Sequence, residues 1–179
     1  MSFLPSLGSK VTLLDVFKKF PATALPLPEY HEILMRRPSP LELADRELIA
    51  AYVSRLNACQ YCHGVHAVTA THFGVPEGLF KKPFENLAKA PIDARMRSLL
   101  EFVKKLTHTP NRICEEDAER VFAAEWNEHA RYGSGHAAGY LENCRSWSGS
   151  DPYVGQYLLG RHFILPDRGR RHPGKGWQP

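Results

Sequence analysis

The chain has 179 residues, 43% of them apolar and 23% charged, with a formal charge of +4; that is enough for one domain with a sizeable core and ordinary for a globular protein. Three Arg, one Lys and one Asp between Asp167 and Pro179 carry +3 of that charge, so the basic balance belongs to a solvated tail and does not mark a nucleic-acid-binding face. No apolar run approaches the roughly 18 residues of a membrane span, and the first residues lack the pattern of a secretory signal, so the expected compartment is the cytoplasm, where four cysteines read as catalytic or metal-binding and not as a disulfide framework.

Along the chain, Val11, Leu13, Leu14, Val16 and Phe17 suggest one short helix. Pro21, Pro26 and Pro28 then suggest an extended path, with a helical turn or two from Tyr30 to Met35. Ser39-Pro40-Leu41-Glu42 reads as a helix start, with Ser as cap and Pro at the first position. Ile49, Tyr52, Val53 and Leu56 follow as an amphipathic stripe that ends near Asn57. Asn57 and Gln60 can cap a second helix, running from Ala58 to about Phe73 and stopped by Gly74-Val75-Pro76.

Ile92-Asp93 opens a helix whose stripe is Met96, Leu99, Leu100, Val103 and Leu106, ended by Pro110. Glu115-Glu116-Asp117 supplies the acidic first turn of another, which carries Ala118, Val121 and Phe122. From Arg131 the periodicity fades and Gly133, Gly135, Gly139 and Gly149 appear, each costing a helix roughly 1 kcal/mol relative to Ala. No stretch alternates long enough for a sheet. The expected fold is all-α, a bundle of about six helices with an irregular C-terminal segment.

The chemistry concentrates on Cys59-Gln60-Tyr61-Cys62. Cys59, Cys62 and His66 are spaced three and four apart and therefore share one helix face. A helix start favours a thiolate. His66 can take the Cys62 proton, and Glu47 on the preceding helix can orient the imidazole. This set supports a cycle in which Cys62 attacks a peroxide and becomes a sulfenic acid. Cys59 then closes a disulfide, and an external dithiol or thiol protein reduces it.

Other readings compete. Cys59-x-x-Cys62-His63 is also a c-type haem attachment pattern, but that reading leaves the Glu47 and His66 spacings unexplained. Cys59, Cys62 and His66 with Cys114 or His108 would make a tetrahedral zinc set, although no second clean ligand pair exists. The cysteines can also be small buried core residues, or the dithiol of a sensing or binding module without turnover. Cys114 and Cys144 read as structural. His63, His72, His108 and His129 read as surface or helix-end residues, and Tyr52 and Trp126 as packing.

Glu47, an eleven-residue gap, Cys59-x-x-Cys62, three residues and His66 resemble the signature of the AhpD-like alkyl hydroperoxidases in the carboxymuconolactone decarboxylase superfamily. The surrounding text, Arg46 to Ser54 and Asn57 to His66, is similar to its peroxidase-related branch, and the likeness runs from about Leu4 to about Ala130. The resemblance implies an all-helical, homo-oligomeric peroxidase acting on hydroperoxides; no cofactor or metal is expected, and charge and hydropathy give no expectation of a nucleic-acid or membrane partner. It further implies Cys62 as the attacking thiol, Cys59 as its resolving partner, and a proton relay from His66 to Glu47. Two positions depart from the family. Tyr61 stands where classical members carry a His, and the long apolar helix expected after Ala130 is not continued from Arg131 onward. The expected organisation is an AhpD-like domain over residues 1–130 and a basic, Gly/Pro-rich segment over 131–179, either divergent or the product of a shifted reading frame.

Overall fold

The computed structural model describes residue 6, residues 12–81, residue 84 and residues 86–136. Among the described residues the helices run in chain order α1 (Leu13–Lys19), α2 (Pro21–Ala24), α3 (Pro26–Arg36), α4 (Leu43–Leu56), α5 (Gln60–His72), α6 (Ala94–His108) and α7 (Glu115–Ala123), followed by a further helical stretch over 128–136. Short 3-10 turns lie at Glu77–Phe80 and Pro110–Arg112. There is no strand among the described residues, as the all-α reading expects.

α1 is closed by a reciprocal cap between Thr12 and Asp15. The extended path expected of the prolines is not found. Pro21 and Pro26 each occupy the first turn of a helix, and Pro28 lies in the first turn of α3. At those positions the missing N–H has no intrahelical acceptor to lose, and the fixed φ suits the helix. α3 therefore extends well upstream of the turn expected at Tyr30 to Met35.

α4 is the centre of the bundle. Every residue from Arg46 to Ser54 is buried, so the stripe of Ile49, Tyr52 and Val53 is one part of a helix covered on all sides. Its start is also later than Ser39. Glu42 is the cap, in a reciprocal pair with Asp45, while the Ser39 hydroxyl accepts the Leu41 amide in a turn of its own. The α6 stripe is as expected: Met96, Leu99, Leu100 and Val103 are buried, with Phe102 added. Each such side chain removed from water contributes about 1.5–3 kcal/mol. The Asp93 carboxylate caps this helix, accepting the Met96 amide at 2.6 Å.

The chain remains helical over 128–136, across the boundary expected at Ala130. Asn127 starts this turn by accepting the Ala130 amide, and Ala130 and Ser134, one turn apart, are buried. Gly133 and Gly135 face the Leu41 and Leu106 side chains, where an added Cβ would make ordinary van der Waals contact, so neither glycine is required by the packing. Gly139, Cys144, Gly149 and the basic tail lie outside the described residues.

Asn57 does not cap a second helix; it is the C-cap of α4. The Ala58 amide donates to the Arg55 carbonyl and the Cys59 amide to the Ser54 carbonyl, both at 2.9 Å. This bond pair, with Ala58 at φ 55°, is a Schellman ending with Ala at the position glycine usually holds. A left-handed alanine costs about 1–2 kcal/mol. Ala58→Gly is therefore expected to stabilise the protein by about 0.5–1 kcal/mol, after allowing for the greater freedom of glycine in the unfolded chain. A urea unfolding curve with its midpoint moved upward checks this, and an unchanged or lowered midpoint contradicts it.

Candidate functional site

The α4 ending reverses the chain and makes Cys59 the N-cap of α5. The first backbone bond of α5 runs from the His63 amide to the Cys59 carbonyl. Cys59 is thus the cap and Cys62 lies in the first turn, two residues nearer the helix start than a cap at Asn57 gives. Contacts pair 59 with 54, 63 with 51 and 66 with 47, so the two helices lie antiparallel. Cys59, Cys62 and His66 are all buried, and the positive end of the α5 dipole lies at the dithiol.

Glu47 is 1% exposed. Its Oε2 accepts a 2.7 Å hydrogen bond from His66 Nδ1. Its Oε1 lies 2.6 Å from Arg36 Nη1 in an ion pair. Burial pushes the Glu47 carboxyl upward, but hydrogen bonding to His66, the charge of His66 and the Arg36 guanidinium outweigh it and hold the group below its ordinary value. An ionised carboxylate only accepts hydrogen bonds. The neutral imidazole must therefore carry its proton on Nδ1, which leaves the Nε2 lone pair as a base. Cys62, one turn before His66, is on the same face of α5.

The four residues singled out from the sequence thus lie on the α4–α5 pair, with Glu47 and His66 in direct contact. Two further residues come from α3. The His31 ring centroid is 6.3 Å from that of His66, and burial, followed by the charges of His66 and Arg36, pushes its titration down. Arg36 lies over the Phe73 ring, 5.7 Å from its centroid. Nothing in the Glu–Cys–Cys–His spacing points to either residue, because they lie on another helix, α3, and meet the site only through packing.

Tyr61, at the position of the family histidine, is 65% exposed and lies on the outer surface of α5. His63 is half-buried; its Nδ1 donates to the Ala51 carbonyl at 2.9 Å, and its ring meets Phe80 and Phe84. His72, His108 and His129 are exposed. Tyr52 is in the core, edge-on to Phe84, and Trp126 is buried with its indole N–H on the Arg95 carbonyl. Cys114 is exposed at the cap of α7, where its thiol donates to Asp117. Among the described residues no three His, Cys, Asp or Glu side chains are grouped to hold a metal ion, so the zinc set with Cys114 or His108 is not assembled. No helix among them is long and apolar enough to cross a membrane.

With this geometry in place, the chain can be set beside known proteins. Residues 21–81, which contain Arg36 and all four motif residues, match the model of the carboxymuconolactone decarboxylase family. The fold is that of two solved structures. One is described as an alkylhydroperoxidase AhpD core, an uncharacterized peroxidase-related protein from Ralstonia eutropha JMP134; it is 21% identical, with a TM-score of 0.68 over 73% of this chain and 68% of that one. The other is an uncharacterized peroxidase-related protein from Silicibacter sp. TM1040, 24% identical, with a TM-score of 0.71 over 81% of this chain and 79% of that one. No protein of curated function matches the chain. The sequence resemblance to this superfamily is therefore matched by a family model across the site helices and by an AhpD-like all-helical fold.

The depressed Glu47 titration fixes a pH dependence. A carboxylate whose folded value lies below its unfolded value of 4.5 adds stability that is present above that pH. The contribution is lost as the pH falls through the folded value. Urea unfolding of wild type across the acid range is expected to weaken below about pH 4.5, and Glu47→Gln is expected to flatten that part of the dependence. An equally steep acid loss in Glu47→Gln would show that Glu47 does not contribute.

Proposed function

We propose that the chain is a thiol-dependent peroxidase that reduces hydroperoxides with the Cys59–Cys62 dithiol. The observation that carries this reading is the buried Glu47–His66 hydrogen bond, which leaves an imidazole base on the helix face that Cys62 occupies. The family match and the peroxidase-related description of the two structural neighbours support it.

In the proposed cycle, His66 takes the Cys62 proton. The thiolate sulfur attacks one peroxide oxygen, the O–O bond breaks, and the alkoxide leaves as alcohol with the proton returned from His66. Cys62 is now a sulfenic acid. The Cys59 sulfur displaces its oxygen, forming the Cys59–Cys62 disulfide and releasing water. An external dithiol or thiol protein supplies two electrons and two protons and restores both thiols. Glu47 keeps the imidazole oriented and stabilises the charged form that His66 takes on with the proton, completing the His66–Glu47 relay. No cofactor or metal enters this cycle. We also propose that the chain self-associates: Tyr61, Val65 and Val68, exposed at helical spacing on α5, form an apolar stripe that fits such a contact.

Steady-state reduction of a hydroperoxide by a dithiol tests the proposal and separates an enzyme from a sensor that reacts once. Cys62→Ser is expected to be inactive. Cys59→Ser is expected to stall as a sulfenic acid that a dimedone adduct reveals. His66→Asn is expected to lose about 100-fold or more in rate. Full turnover in Cys62→Ser, or none in the reduced wild type, overturns the assignment.

A further inference from the structure

We infer that Arg36 is a positioning residue whose charge keeps His66 a neutral base. The inference rests on the relay proposed above and adds to it a group outside the Glu–Cys–Cys–His motif.

The Glu47 carboxylate is a single buried negative charge that meets two nitrogen groups from two helices. On one oxygen is His66 Nδ1 from α5, and on the other is Arg36 Nη1 from α3. Were His66 its only partner, the buried anion would be compensated only by an imidazolium. A protonated His66 has no lone pair on Nε2 and cannot accept the thiol proton. Arg36 carries a charge that does not titrate. With Arg36 in place the carboxylate is already compensated, and a second positive charge on the imidazole is opposed.

Arg36 is held for this work. Its Nη1 also donates to the Met35 carbonyl at 3.0 Å, and its guanidinium lies over Phe73, the C-cap residue of α5. The backbone around it is tied down by the buried Arg46, whose Nη1 donates to the Leu34 carbonyl at 3.2 Å and to the Arg37 carbonyl at 2.8 Å. The Arg36 side chain is 30% exposed, so it can be replaced without opening the core. The other groups that face this cluster are His31 and Glu32 from α3 and Arg46 from α4. Burial, His66 and Arg36 all disfavour a charge on His31, so it does not take the place of the arginine.

The test combines Arg36→Met, which keeps an apolar stem against Phe73, with Arg36→Lys, which keeps the charge. The primary readout is the charge state of the His66 ring by NMR of selectively labelled histidine, which requires no peroxide. In Arg36→Met the midpoint of His66 protonation is expected to move up by about one pH unit, the scale on which a neighbouring charge acts. The acid limb of peroxide turnover should move with it, so that the rate at a pH on that limb falls roughly tenfold. Arg36→Lys should restore most of both. Should Arg36→Met fail to fold by circular dichroism, Arg36→Gln removes the same charge with a polar replacement. A His66 titration in the folded, uncharged variant that coincides with wild type overturns the inference. Loss of turnover in Arg36→Lys equal to that in Arg36→Met, with His66 unmoved, also overturns it. Because the NMR readout stands without catalysis, a protein that failed to turn over peroxide would refute the peroxidase reading and leave the Arg36 result to be judged alone.

Discussion

A carboxylate sealed inside a helical bundle constrains everything around it. Taking Glu47 out of water is costly unless both oxygens find partners, and removing one partner of such a buried pair typically costs about 3–5 kcal/mol. The two partners come from different helices: Arg36 from α3 and His66 from α5. The charge therefore ties three helices together at one point. Replacing a buried ion pair by apolar groups is often neutral or stabilising, so stability alone is a weak reason for such an arrangement. What it does supply is placement, with a carboxylate that stays ionised and an imidazole held in one tautomer.

The dithiol owes its position to backbone geometry as much as to side-chain chemistry. α4 ends in a Schellman turn on a left-handed alanine, and that turn makes Cys59 the cap of α5 and puts Cys62 in the first turn. The same reversal sets the antiparallel register in which His66 meets Glu47. A change in the length of the α4–α5 connection would move the dithiol off the helix start and shift His66 from the carboxylate together. Glu47, Cys59, Cys62 and His66 are thus linked by one local fold, which explains why they lie within a single stretch of sequence.

That linkage also explains what could be read before the fold was known. Spacings of three and four residues are a direct statement about one helix face, so Cys59, Cys62 and His66 were legible, and the apolar periodicity of α6 was too. Ends of helices were less so. Asn57 has the chemistry of an N-cap, yet it closes α4 because the two backbone bonds of the turn decide the boundary. Pro21, Pro26 and Pro28 suggested extended chain, but proline breaks a helix only past its first turn. The part of α3 around Tyr30 to Met35 is legible, and its upstream extension through Pro26 and Pro28 is not. Gly133 and Gly135 lie within the helical stretch over 128–136, since a glycine weakens a helix by about 1 kcal/mol without forbidding it. Long-range partners such as Arg36 with Glu47 have no periodic signature and emerge only from packing.

The central claim is that Cys62, relayed by His66 and Glu47, is oxidised by a peroxide and resolved by Cys59. Its most direct measurement is a single-turnover reaction of the reduced protein with one equivalent of hydroperoxide, followed by intact mass and peptide mapping. The account predicts one equivalent of alcohol, the loss of two hydrogens from the protein, and a disulfide joining Cys59 to Cys62. Unreacted hydroperoxide beside two intact thiols, or oxidation confined to Cys114 or Cys144, would contradict it.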